Sequence, residues 1–290
     1  MAGSGDALVL LNGCSIADLS ADSLLLNRGF HYADGVFETL RVESGRLPLF
    51  DFHLVRLRRG CEHLGLVLAD VFAEQLSAFT QAVRQRGESG VAKLTVYRAA
   101  AARGNYSGLN STAELLFQFT PSSVVIDGQW VAPPVRLKTV SYRLYPNPQL
   151  AGIKHLNRLD YALATKNFSA ELNCEALLLD PEDCVVETPH HNIFCLRGHR
   201  LMTPHLDKSG VAGVMRELIL GLGKKIDGVD IQVCSLPFEQ LLASDAVFLC
   251  NALRGIVPVA GCDRVAFGDS STELAGRVAF AVKNYLDVDR

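Results

Sequence analysis

A lysine set among apolar residues just behind a chain reversal is chemically unusual, and Leu150-Ala151-Gly152-Ile153-Lys154-His155-Leu156-Asn157-Arg158-Leu159-Asp160 holds one. Ala151, Gly152 and Ile153 precede Lys154, and the breaker run Pro146-Asn147-Pro148 stands upstream. The lysine therefore enters at a turn into a packed segment, not on a solvated helix face. Desolvation disfavours an ammonium and moves it toward the neutral amine, a nucleophile able to form a Schiff base. A lysine that snorkels its head to water at the mouth of an ordinary strand leaves the same local pattern. Partners elsewhere in the chain have to decide.

Three groups of residues answer. Glu187 sits in the apolar run Val185-Val186-Glu187-Thr188, where a carboxylate is costly unless it meets a cation such as a pyridinium. A solvent-facing strand position gives the same pattern, so Glu187 carries weight only beside Lys154. Gly210-Val211-Ala212-Gly213-Val214-Met215 is a glycine-bracketed helix entry, where backbone N–H groups and the helix dipole favour a phosphate. Asn251-Ala252, at the end of a buried strand, adds further N–H groups, and Arg56 on the first long helix supplies counter-charge. An imine-forming amine, an acid for a ring nitrogen and a phosphate cradle are together the demands of pyridoxal 5'-phosphate, which is the cofactor expected here.

The chain has 290 residues, 49% of them hydrophobic and 20% charged, with a net charge of −3. That is enough for one large or two ordinary domains, and no basic run points to nucleic acid or an anionic membrane. A small-molecule partner is the expectation. No apolar run approaches the roughly 18 residues of a membrane span, and no basic region precedes a long apolar segment at the start, so the expected location is the cytoplasm. The eight cysteines include no Cys-x-x-Cys pair, and the histidines include no His-x-x-x-His; reduced core thiols and no metal are expected.

The elements that must position these groups follow from periodicity. Residues 7 to 11 before Asn12-Gly13, and 35 to 43 before Ser44-Gly45, predict strands running into tight turns. From Asp51 the period becomes helical: Leu54, Leu57, Cys61 and Leu64 share a face, with Arg56, Arg59 and Glu62 off it. Phe72, Leu76, Phe79 and Val83 predict a second helix that stops at Arg86-Gly87. With strands over 91–99 and 113–120 these make an α+β domain of residues 1–121, followed by a linker, 122–133, bracketed by prolines. Residues 134–290 form the second domain. Its strands are expected over 135–142, 175–179, 184–188, 192–196 and 246–250. Helices are expected at Tyr161, Thr165, Phe168 and Leu172, from Val214 onward, and over 271–286.

Motifs in sequence order carry a resemblance. They are Arg28-Gly29-Phe30-His31-Tyr32-Ala33-Asp34-Gly35-Val36-Phe37-Glu38-Thr39, then His53-Leu54-Val55-Arg56-Leu57, the lysine segment, Glu187 with Asn192 five residues on, Gly210 to Arg216, and Cys250-Asn251-Ala252-Leu253. From about residue 8 to near the C-terminus the chain resembles the fold-type IV pyridoxal-phosphate enzymes. That group holds branched-chain aminotransferases, D-amino acid transaminases and 4-amino-4-deoxychorismate lyases. The lysine segment and the loop Arg103-Gly104-Asn105-Tyr106-Ser107-Gly108-Leu109-Asn110-Ser111 are most similar to those of the bacterial lyases. D-amino acid transaminases have a histidine where this chain has Asn105, and branched-chain enzymes a tyrosine where it has Leu159; Asn105 is also an insertion relative to the lyase loop.

The resemblance implies an α/β (α+β) two-domain fold: a small N-terminal α/β domain, a larger C-terminal domain built on a β-barrel-like sheet, pyridoxal phosphate in the cleft between them, and a homodimer. It implies that Lys154 and Thr39 are catalytic. Lys154, Arg56, Glu187, Asn192, Val214, Met215, Asn251 and Ala252 would hold the cofactor, and Arg103, His31 and Phe37 would face the substrate. The implied reaction is conversion of 4-amino-4-deoxychorismate to 4-aminobenzoate and pyruvate. The alternatives are an aminotransferase of the D-amino acid or branched-chain type and a non-catalytic binding protein on the same fold.

Overall fold

Asn12 and Gly13 take positive φ, 49° and 81°, which is what a two-residue hairpin turn requires. They join β1 (Leu8–Leu11) to β2 (Cys14–Ser15). The structure is a computed structural model that describes residues 7–15, 27–99, 112–166, 168 and 173–288. The chain divides into two compact units, Met1–Asp127 with Lys154–Asn157, and Gly128–Ile153 with Arg158–Arg290.

The first unit continues with α1 (Arg28–Tyr32), β3 (Gly35–Val42), α2 (Phe50–His63), α3 (Phe72–Arg86), β4 (Gly90–Arg98) and β5 (Ala113–Pro121). Its sheet runs β2-β1-β5-β4-β3, antiparallel throughout. Alternate residues of β5, Ala113, Leu115, Phe117 and Phe119, are buried, and the Phe117 ring lies 5.1 Å from that of Phe79 on α3. Phe72, Leu76, Phe79 and Val83 all turn inward as the helical period predicts, and Gly87 ends α3 in the left-handed region at φ 63°.

The short segment Lys154–Asn157 lies along the open edge of β3. The Phe37 N–H donates to the Lys154 carbonyl at 3.0 Å, and the Leu156 N–H to the Gly35 carbonyl at 2.8 Å. A side chain at Gly35 would place its Cβ 2.4 Å from the Val96 carbonyl oxygen and 2.8 Å from Leu156, so only glycine allows this approach.

The second unit comprises β6 (Val135–Arg143), α4 (Leu159–Thr165), β7 (Cys174–Leu179), β8 (Val185–Glu187), β9 (Asn192–Arg197), β10 (Arg200–Pro204), α5 (Val214–Leu222), β11 (Asp230–Cys234), α6 (Phe238–Leu242), β12 (Ala246–Asn251), β13 (Gly255–Cys262), β14 (Val265–Ala266) and α7 (Ser270–Val288). Its sheet runs β11-β10-β9-β12-β13-β6-β7-β8, with β14 beside β13, and curls into a half-barrel. Leu137, Leu177, Ile193, Val247, Leu249 and Val257 form the centre of one core. On the sheet pack Leu274, Val278 and Val282 of α7.

Two expectations meet different outcomes. Residues 122–127 are tied to the first unit: the Ser122 N–H donates to Ser89, the Ile126 carbonyl accepts from Arg41, and Asp127 accepts from Ser44 and Ser89. Residues 130–132 are tied to the second through Trp130 and Ala132, which exchange backbone hydrogen bonds with Ile256. The stretch expected as a linker is therefore packed at both ends. The helix expected to reach Leu172 ends at Thr165, whose hydroxyl bonds back to the Tyr161 carbonyl at 2.9 Å and competes with the backbone ladder. Phe168 lies beyond the helix, and Leu172 lies outside the described residues. Among the described residues no helix is long and apolar enough to cross a membrane.

Candidate active site

Strand alternation sorts the residues of β3 to two faces. Phe37 and Thr39 point one way, both half-buried, and Glu38 points the other, 1% exposed. On the first face the Lys154 ammonium lies 4.4 Å from the Phe37 ring centroid, a distance at which the ring quadrupole attracts a cation. Lys93 sits opposite Thr39 in the β3–β4 register, and its ammonium is 5.2 Å from the same ring. The first unit thus gathers three residues the sequence singles out: Lys154, Phe37 and Thr39. His31 stands exposed on α1 and meets Phe30 edge-on at 5.4 Å and Tyr32. Arg103 and its loop lie outside the described residues.

Arg56 corrects the helical reading. Polarity places it off the apolar face of α2, but the structure buries it with His53, Leu57, Gly60 and Cys61. The reason is Glu38: Arg56 Nε donates to Oε1 at 2.8 Å and one Nη to Oε2, while His53 Nδ1 lies 2.6 Å from Oε2. Burial alone would raise the Glu38 carboxyl, yet Arg56 and His53 pull it down to about 2. A phosphate at Arg56 would meet a guanidinium whose plane Glu38 has already set.

In the second unit Glu187 is 3% exposed and accepts from neutral donors. They include the Tyr161 hydroxyl at 2.6 Å, Asn192 Nδ2 at 3.0 Å and the Val211 N–H at 3.1 Å. Asn192 Nδ2 also donates to the Val211 carbonyl at 2.8 Å, which locks the amide's orientation. Burial, then the negative charge of Glu187, raises the Tyr161 phenol well above its usual range, so Tyr161 keeps its proton and acts as the donor. Tyr161 was legible only as a helix marker; its one further signal is a place in the first turn after the lysine segment.

Asn192 and Glu187 also border the helix entry expected to cradle a phosphate. Gly213 caps α5 without any side-chain hydrogen bond, and Val214 and Met215 behind it are buried. A Cβ at Gly213 would fall 2.0 Å from Asn192 Oδ1. We expect Gly213→Ala to displace Asn192 from Glu187 and to destabilise the protein by about 1–3 kcal/mol, the usual effect of overpacking. Chemical denaturation measures this, and wild-type stability would show that the loop gives way without loss. Asn251 spends its side chain on its own turn: Oδ1 accepts from the N–H groups of Leu253 and Arg254 at 3.0 and 2.7 Å, and Nδ2 donates to the His190 carbonyl. Any phosphate contact by Asn251 and Ala252 would come from their backbone.

Taken unit by unit, the residues fit what pyridoxal phosphate demands: the first unit holds an amine, and the second a buried carboxylate braced by donors and an uncapped helix start kept open by a glycine. The Amino-transferase class IV family matches residues 35–262, and the chain belongs to that family, whose enzymes depend on pyridoxal phosphate. An aminodeoxychorismate lyase of Vibrio harveyi is 30% identical over 237 residues, 81% of this chain and 85% of the relative. The crystal structure of 4-amino-4-deoxychorismate lyase from Pseudomonas aeruginosa has a TM-score of 0.80 and 34% identity, covering 93% of this chain and 98% of that one. A branched-chain aminotransferase from Thermoproteus uzoniensis also reaches 0.80, at 22% identity and with 96% of each chain covered; that likeness speaks for the fold alone.

Proposed function

We propose that this enzyme is a pyridoxal-phosphate-dependent lyase that converts 4-amino-4-deoxychorismate to 4-aminobenzoate and pyruvate. The observation that carries the reading is the shared face of β3, where a threonine hydroxyl and the Lys154 amine flank Phe37. The reaction needs two proton transfers at different carbons, and this face offers two groups for them. Identity of 30% and 34% to two aminodeoxychorismate lyases supports the same choice.

When bound, the cofactor supplies an electron sink for the carbon that loses its proton. Lys154 removes that proton from the amine-bearing carbon of the substrate. Glu187, held by Tyr161 and Asn192, would serve the cofactor's ring nitrogen and keep a proton on it. Thr39 delivers a proton to the methylene carbon of the departing enolpyruvate, and loss of that group leaves an aromatic ring. On the same family resemblance we propose a homodimeric, cytoplasmic enzyme in which Arg103 and His31 contact the substrate.

An aminotransferase would need an added keto acid for sustained turnover; the proposed lyase needs none, and that requirement separates the two. Thr39→Val keeps the shape and deletes the hydroxyl, so we expect turnover to fall on the order of 10²-fold with cofactor binding intact. An unchanged kcat would leave Thr39 as a packing residue and return the proton to Lys154 or water.

A further inference from the structure

The cluster behind β3 contains a group that the proposed reaction does not use. His53 is 1% exposed, and its Nε2 is buried with no hydrogen-bond partner among the described residues. Its Nδ1 faces Glu38 Oε2 at 2.6 Å. Because Glu38 is ionised, Nδ1 carries the ring proton, and the orphaned Nε2 of the neutral ring is a bare acceptor.

The charges around the ring are Glu38 from β3, Arg56 one turn along the same helix, and Lys154 from the segment beside β3; Cys61, also on α2, is a neutral thiol held protonated by burial and by Glu38. Burial holds the imidazole below its ordinary 6.5, Glu38 opposes that, and Arg56 and Lys154 add to it. Glu38 and Arg56 cancel, so a neutral His53 suits the cluster as it stands. A phosphate dianion at Arg56 would change that balance by two negative charges on the guanidinium that shares Glu38 with this imidazole.

We propose that His53 takes up one proton when a phosphate monoester binds at Arg56, so that the Glu38-His53-Arg56 cluster couples capture of the anion to protonation. The inference rests on the cofactor reading above. The proton comes from solvent and forms the Nε2–H bond, turning an acceptor into a donor and the buried cluster into a net cation. His53 is here a positioning residue, acting on the anion through Glu38, which it touches, and through the Arg56 that Glu38 holds.

The sign of the linkage is fixed: a proton bound with the ligand makes affinity fall as pH rises. The window lies above the free imidazole's lowered value and below that of the complex. At the test pH of about 8 the phosphate's own second proton, lost near roughly pH 6, is already gone.

Calorimetric titration of the cofactor-stripped full chain at about pH 8, in two buffers of different ionisation enthalpy, counts protons taken up per ligand. Pyridoxal phosphate and phosphate-free pyridoxal serve as the two probes; attachment at Lys154 is common to both and cancels. We expect about one extra proton for the phosphate-bearing ligand, and an affinity relative to pyridoxal that falls about tenfold per pH unit. In His53→Asn the extra proton should vanish while binding remains; should that variant fail to fold, the wild-type comparison decides alone. Equal proton counts for the two ligands overturn the coupling. Failure of pyridoxal phosphate to bind at all overturns the cofactor reading and the coupling with it.

Discussion

Lys154→Ala abolishes cofactor attachment and lowers turnover on the order of 10⁴-fold or more, because no other group can replace an amine that both bonds the cofactor and moves the proton. The fold should survive. What anchors the segment to β3 is backbone: the Phe37 N–H on the residue 154 carbonyl and the Leu156 N–H on Gly35, and alanine keeps both. Half-buried Lys154 lends its side chain to the Phe37 ring and is not a core packing element. Borohydride reduction followed by peptide mass analysis should mark residue 154 in the wild type and nothing in the variant. A mark at Lys93, whose ammonium approaches the same ring at 5.2 Å, would transfer the amine's role to that residue.

Glu187→Gln should give a folded, cofactor-bound enzyme that is slower on the order of 10²-fold to 10³-fold. A neutral amide cannot keep a proton on the cofactor's ring nitrogen. Glutamine also brings an NH₂ group to a pocket arranged with donors, among them the Tyr161 hydroxyl, Asn192 Nδ2 and the Val211 N–H. The amide oxygen can still accept from Asn192 and Val211, but the Tyr161 hydroxyl must then accept from the NH₂ and gives up the bond it donates to the carboxylate, so some stability should be lost as well. The test is kcat at saturating cofactor alongside a denaturation curve. Wild-type turnover would mean that Glu187 is a structural carboxylate and that another acid serves the ring.

Much of the fold is legible because local rules and tertiary packing agree there. Asn12-Gly13 makes the hairpin its residue types demand, α3 buries the four residues its period picks out, and Gly87 ends it. Arg56 was misplaced because helical periodicity ranks residues by polarity, and its partner Glu38 lies on a strand 18 positions away; an inward arginine is invisible until the strand is seen. At the end of α4 a threonine hydroxyl bonds back one turn, a competition with the ladder that the apolar period does not register. At 122–133 the bracketing prolines suggest a linker; what composition does not register there is that Asp127 accepts from Ser44 and Ser89 and that Trp130 is buried. For the candidate site, motif order supplies Glu187 and Asn192, but only the fold brings one amide to both the carboxylate and the Val211 carbonyl.

The lyase assignment is tested most directly by incubating the enzyme with 4-amino-4-deoxychorismate, with no keto acid added, and following 4-aminobenzoate by fluorescence and pyruvate by a coupled assay. We expect the two products in equal amounts over many turnovers, with the cofactor's absorbance unchanged at the end and no product from Lys154→Ala. No 4-aminobenzoate, together with sustained amino-group exchange once a keto acid is supplied, would contradict the assignment and leave an aminotransferase.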